Sequence, residues 1–97
     1  MVRLRCGVIL LPAFIDHLQG LCAKRKDGLL PAIDYIKCVD GARKGSSWWS
    51  LTWTSDKAVR ASNLFKVGEF QIYLSPQTQK ALKHHYIDLR DGEVFVG

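Results

Sequence analysis

This sequence has little cysteine, little proline and no long apolar run, and each shortage removes a class of protein. Its three cysteines, Cys6, Cys22 and Cys38, are an odd number with no Cys-x-x-Cys pair. Neither a zinc knuckle nor a complete disulfide framework is written here, and reduced thiols in a cytoplasmic setting are the expectation. The first fourteen residues, MVRLRCGVILLPAF, combine two arginines with an apolar run. The run is broken by Pro12, reaches Asp16 quickly and has no small-residue cleavage site, so it does not read as a signal peptide. No apolar stretch approaches the length of a membrane span, so no membrane partner is expected. Glycine-rich phosphate loops, internal repeats, linker-like segments and a serine in a strained nucleophile elbow are also missing. The carboxylates Asp34, Asp40, Asp88 and Asp91 are scattered over turns and strand faces, with no pairing suited to acid–base work.

What is present is the composition of a globular domain. Its 97 residues are enough for one hydrophobic core and too few for two, so residues 1–97 are expected to form a single domain. The formal charge is +5, with basic knots at Lys24, Arg25 and Lys26 and again at Arg43 and Lys44. Such a charge suits an acidic partner, a small anionic ligand or nucleic acid. Neither knot exceeds three residues or is interleaved with aromatics, and nucleic acid is therefore the less favoured partner.

Residues 45–54, GSSWWSLTWT, concentrate all three tryptophans. Period-two alternation predicts a strand with Trp49, Leu51 and Trp53 on one face and Trp48, Ser50, Thr52 and Thr54 on the other. Trp49 and Trp53 are expected to fill the core. Trp48 is then left partly exposed beside Arg43 and Lys44, as an aromatic anchor for a partner or for self-association. With Ser46 and Ser47 in the turn, these residues make up the candidate binding surface: Arg43, Lys44, Ser46, Ser47 and Trp48.

Around this strand the chain reads as alternating elements. Residues 3–11 predict a strand ending at Pro12, which suits the first position of a helix. Residues 13–26 carry Phe14, Leu18, Leu21 and Cys22 at helical spacing, and Asp27-Gly28 ends the helix. Residues 29–40 are apolar on both faces, as a central strand antiparallel to the tryptophan strand requires. Residues 55–62 predict a loop with a helical turn, and residues 63–74 a half-buried strand entered through a turn at Gly68. Ser75-Pro76 is a helix-start signature, with Ala81 and Leu82 expected to face inward. Asp91-Gly92 predicts a type I′ hairpin in which Leu89 faces Val94, Ile87 faces Val96 and Arg90 forms an ionic pair with Glu93. His84-His85 reads as a surface pair at a helix end, and His17 and Cys22, five apart on one helix, do not meet as a catalytic pair.

The order of these elements, with the segments LLPAFIDHLQGL, VGEFQIYLSPQTQKAL and HHYIDLRDGEVFV, resembles the HesB-like domain of A-type iron–sulfur carriers. The resemblance implies a β-rich α+β fold, a mixed-sheet barrel or sandwich of about seven short strands and two helices. In that family one cysteine stands in the glycine-rich turn before the aromatic strand and a Cys-Gly-Cys pair stands near the C-terminus, and these thiolates hold iron or a cluster. Here the turn reads Gly45-Ser46-Ser47 and no such pair follows the final hairpin. A serine hydroxyl is a poor substitute for the thiolate that cluster iron prefers. The expectation is therefore a non-catalytic binding or interaction domain without metal or other cofactor. Two other classes remain open on the residues alone: an iron or iron–sulfur carrier using Cys38 or cysteines shared between subunits, and a basic nucleic-acid-binding module using Arg43, Lys44 and Trp48.

Overall fold

The computed structural model describes every residue except Cys38, Asp40, Arg43 and Lys44. Eight strands and two α-helices follow one another as β1 (Val2–Arg3), β2 (Ile9–Leu10), α1 (Pro12–Lys24), β3 (Leu29–Lys37), β4 (Ser47–Ser55), β5 (Leu64–Val67), β6 (Phe70–Tyr73), α2 (Pro76–Leu82), β7 (Tyr86–Arg90) and β8 (Glu93–Val96). The strands form two four-stranded sheets, ordered β1-β2-β7-β8 and β4-β3-β6-β5. Both are mixed: β2 runs parallel to β7 and β3 parallel to β6, while every other neighbouring pair is antiparallel. The two sheets do not close into a barrel, so of the two expected forms the open, two-sheet one is found.

A single core joins both sheets to both helices. Leu10, Phe14, Ile33, Ile72, Leu82 and Ile87, one from each of six elements, are almost fully buried within it. Burial on this scale, at about 25 cal/mol per Å² of apolar surface, is the main stabilising term for so short a chain. Pro12 opens α1 at its first turn, and Phe14 and Leu18 are its buried residues. The helix ends at Lys24, and Gly28, with φ +74°, supplies the left-handed turn into β3. At the second helix Ser75 caps as expected: its hydroxyl accepts from the Thr78 backbone N–H at 3.2 Å. The Thr78 hydroxyl in turn donates to the Ile33 carbonyl at 3.3 Å, tying α2 to the middle of β3.

Four expectations need correction. The continuous strand over residues 3–11 is a tight hairpin of two-residue strands. The Gly7 N–H bonds the Leu4 carbonyl and the Leu4 N–H bonds the Val8 carbonyl, both at 2.8 Å, with Gly7 at φ +96°. Residues 63–74 form two paired strands rather than one, because Gly68 at φ +60° reverses the chain between Val67 and Phe70. Ala81 is exposed, and the inward-facing partner of Leu82 in α2 is Thr78. In the final hairpin the register is the expected one, with Asp91 and Gly92 at φ +52° and +77°, as a type I′ turn demands. Arg90, however, lies over the Phe95 ring at 3.7 Å and reaches Asp88 at 3.4 Å instead of forming an ion pair with Glu93.

Candidate functional site

The nine residues of β4 pair with the nine of β3 without interruption, from Lys37 opposite Ser47 to Leu29 opposite Ser55. This register sets the faces. Tyr35, Ile33 and Pro31 stand across from Trp49, Leu51 and Trp53, and Ile36 stands across from Trp48. Trp48 therefore lies on the side opposite Trp49 and Trp53, as alternation predicts. Trp48 is half-buried, as expected, but Trp49 and Trp53 depart from expectation because they too are only half-buried. Trp49 and Leu51 pack against the rim of the core, and Trp53 carries the Arg25 guanidinium 4.0 Å above its ring. The reason is positional: β4 is an edge strand, with β3 beside it on one side only.

Beyond the free side of β4 lies β8, the edge strand of the other sheet. Between them is a cleft of about 520 Å³, with Ser46 and residues 48–51 on one wall and residues 92–94 on the other. Both walls draw on consecutive residues, so side chains of both parities contribute and the strand backbones themselves form part of each wall. The type I′ turn at Asp91-Gly92 carries Glu93 and Val94 to the far wall. Among the described residues of the lining, Glu93 is the one with an ionisable side chain. At one end the Tyr35 ring packs 4.9 Å from that of Trp49, and its hydroxyl hydrogen-bonds the Ser47 hydroxyl. Farther along, the Thr52 hydroxyl donates to the Asp34 carboxylate at 2.6 Å, joining β3 and β4 on the outer face.

Of the five residues expected at a binding surface, Ser46 and Trp48 line this cleft. Ser47 is not in the lining, and its hydroxyl is hydrogen-bonded to that of Tyr35. Arg43 and Lys44 lie outside the described residues. Sequence reasoning missed Ser50, Gly92, Glu93 and Val94, and it assigned Trp49 and Leu51 to the core rather than to the site. The Asp91-Gly92 signal located the hairpin, but nothing local indicates that its tip stands across from the tryptophan strand.

The remaining candidates are dispersed. Cys6 sits half-buried in the β1–β2 turn and Cys22 half-buried on α1, and Cys38 lies outside the described residues. Burial pushes the Cys22 thiol up, against the opposing pull of the Arg25 charge, so at neutral pH it stays protonated and weakly nucleophilic. A smaller hollow of about 310 Å³ lies beside Cys22, with Gln19, Glu69 and Phe70 in its lining. His84 and His85 are exposed, and the His85 ring nitrogen lies 3.2 Å from the Gly97 carbonyl. Among the described residues no three His, Cys, Asp or Glu side chains gather as metal ligands would, and no helix is long and apolar enough to cross a membrane.

The chain matches no family model and no curated protein. Among solved structures it is similar to SufA of Escherichia coli, which is involved in the biosynthesis of iron–sulfur clusters. The TM-score is 0.63 at 18% identity, over 94% of this chain and 79% of SufA. At that identity the likeness establishes the fold, and it bears out the expected HesB-like α+β class.

Proposed function

We propose that this chain is a non-catalytic binding domain on a SufA-like scaffold, engaging a protein partner through the cleft between β4 and β8. One observation carries the reading: a concave site of about 520 Å³ in which Trp48, Trp49, Leu51 and Val94 offer apolar walls and Ser46, Ser50 and Glu93 offer a few polar groups. That mixture is what binding sites use, with apolar area for affinity and sparse polar groups for orientation. No described nucleophile and base lie within hydrogen-bond reach of one another in the cleft, so its lining suits recognition better than chemistry.

A second reading is favoured by the likeness to SufA: an iron or iron–sulfur carrier. The described donors fit it poorly. Ser46 precedes β4 and Ser47 is its first residue, the Ser47 hydroxyl is engaged by Tyr35, and Cys6 and Cys22 belong to the β1–β2 turn and to α1. A cluster needs several thiolates converging on one point.

A photo-crosslinking amino acid placed at Ser50 tests the first reading. In cells of the source organism it should yield one discrete crosslinked protein, whereas the same group at exposed Gln77 should yield none. Crosslinking at neither position would remove the cleft as a binding surface. Anaerobic incubation with ferrous iron and sulfide tests the second. Sulfur-to-iron charge-transfer bands at a fixed stoichiometry would make the chain a carrier, and their absence is the expected outcome.

A further inference from the structure

The two sheets meet at both of their flanks. On one flank β8 stands against β4 across the cleft. On the other, Arg5, in the turn after β1, reaches the start of β5: its guanidinium donates to the Ser62 and Leu64 carbonyls at 2.9 and 3.2 Å and lies 4.3 Å from the centre of the Phe65 ring. The end of α2 joins this second flank. The His84 N–H donates to the Gly7 carbonyl at 3.1 Å, the Lys83 stem passes over Gly7, and the Gln79 amide donates to the Asn63 side chain at 2.9 Å. The β1–β2 turn, the 3-10 turn Ala61–Asn63 and the end of α2 thus touch pairwise. They come from stretches without a carboxylate. Residues 1–15, 57–68 and 70–87 hold seven of the 14 lysines and arginines and none of the nine aspartates and glutamates, so the rest of the chain, Arg43 and Lys44 included, is slightly negative. Arg3, Arg5, Arg60, Lys66, Lys80 and Lys83 are all exposed. Among the described residues the ion pairs are Arg25–Asp27 and Arg90–Asp88, and none of the six is neutralised by a carboxylate. Positive charge that is scattered along the sequence is gathered by the fold on one flank.

We propose that this flank is a second docking surface, which holds an acidic segment of a partner protein. It lies at the opposite edge of each sheet from the cleft, and so goes beyond the reading of the cleft and stands without it. Arg5 is its anchor. Both carbonyls are bonded by one nitrogen, Nη2, which leaves Nε and Nη1 for a carboxylate on a side chain already held still. Lys80 and Lys83, three apart, share one side of the end of α2. The cations stand on three separate elements, which a flexible acidic segment can follow, and a field without carboxylates speeds and steers its approach. Nucleic acid is the weaker occupant. Phe65 and Phe70 are buried and Tyr73 and Tyr86 half-buried, so bases find no exposed aromatic on which to stack. The α2 helix has only seven residues and carries its cations at its C-terminal end, whereas a groove-reading helix presents its N-terminal residues.

The test follows, by fluorescence anisotropy, the binding of a labelled peptide of six Glu-Ser repeats and, separately, of a labelled 20-base-pair DNA duplex to the 97-residue chain. The double variant Lys80→Glu/Lys83→Glu should weaken peptide binding about tenfold or more. Lys24→Glu/Lys26→Glu, equal in charge but at the end of α1, should weaken it less than threefold. All four side chains are exposed, so both variants should melt close to wild type. Peptide affinity should fall steeply with added salt. Equal weakening by the two double variants would mean that only net charge is sensed, and would overturn the site; so would absence of peptide binding to the wild type. A duplex that binds more tightly than the peptide and loses that affinity with Lys80→Glu/Lys83→Glu alone would make nucleic acid the occupant and also overturn it. Crosslinking through Ser50 reads the cleft and should be unchanged in Lys80→Glu/Lys83→Glu, so either surface can fail without the other.

Discussion

Strands β3 and β4 are equal in length and paired residue for residue, yet they are treated very differently by the fold. β3 contains three consecutive buried residues, Pro31, Ala32 and Ile33, and is paired on both sides. β4 contains all three tryptophans and not one buried residue. The difference shows that burial follows place in the sheet: a central strand is covered by neighbours on both edges and by the core beneath, whereas an edge strand retains one open flank however apolar its side chains. The open flank is also where the cleft lies, so the feature that keeps the tryptophans half-exposed is the one that makes them available to a partner.

The comparison is tested most strongly by truncating one buried position in β3 and one tryptophan in β4. Ile33→Ala, 1% exposed, should cost about 2–5 kcal/mol in urea unfolding, the range for aliphatic core truncations. Trp49→Ala removes a larger side chain but a less buried one, and should cost about 1–2 kcal/mol, with Trp48→Ala below it. A Trp49→Ala loss equal to that of Ile33→Ala would break the contrast and restore Trp49 to the core. Crosslinking through Ser50 should fall more with Trp48→Ala than with Trp53→Ala.

The seam between the two strands gives a smaller effect. Thr52→Val keeps the shape of the side chain and leaves the half-buried Asp34 carboxylate without its 2.6 Å donor, which should cost about 1 kcal/mol by thermal melt. Thr52 is not among the residues that line the cleft, so its loss should weaken crosslinking through Ser50 less than Trp48→Ala does. An equal loss of binding would mean that the edge and the seam act as one unit.

The smallest effect concerns the turn between α1 and β3. The Leu29 backbone N–H, followed by Arg25, holds the Asp27 carboxyl below the usual carboxylate range. A carboxyl whose folded-state pKa is depressed adds stability above its unfolded value, near pH 4, and loses it as pH falls through the folded-state value. Wild type and Asp27→Asn should therefore differ in melting temperature at pH 6 and converge at the acid end. Because Asp27 is exposed at the surface the difference should be slight, and a difference that grew on acidification would reverse the assignment.

Much of this architecture is readable from local residues. Pro12 and Ser75-Pro76 start the helices, Gly28 marks the exit from the first, Asp91-Gly92 sets the last hairpin with its register, and alternation assigns the faces of β4. Each works because the signal and the structure it specifies lie within a few residues, where backbone geometry admits few alternatives. The β1–β2 hairpin was hidden because a strand-rich run conceals a Gly7 turn that is stabilised in part from outside, by the His84 N–H donating to the Gly7 carbonyl at 3.1 Å. The binding cleft is less local still. Trp48 and Ser46 could be named from pattern, but Glu93 lies more than forty positions away, and only the packing of the two sheets brings its strand opposite β4. The sequence by itself determined which residues form strands, helices and turns, because those choices are made by neighbouring atoms along the chain. Only the tertiary structure decided which strand became an edge and what faces it, because that depends on how the two sheets divide the shared core.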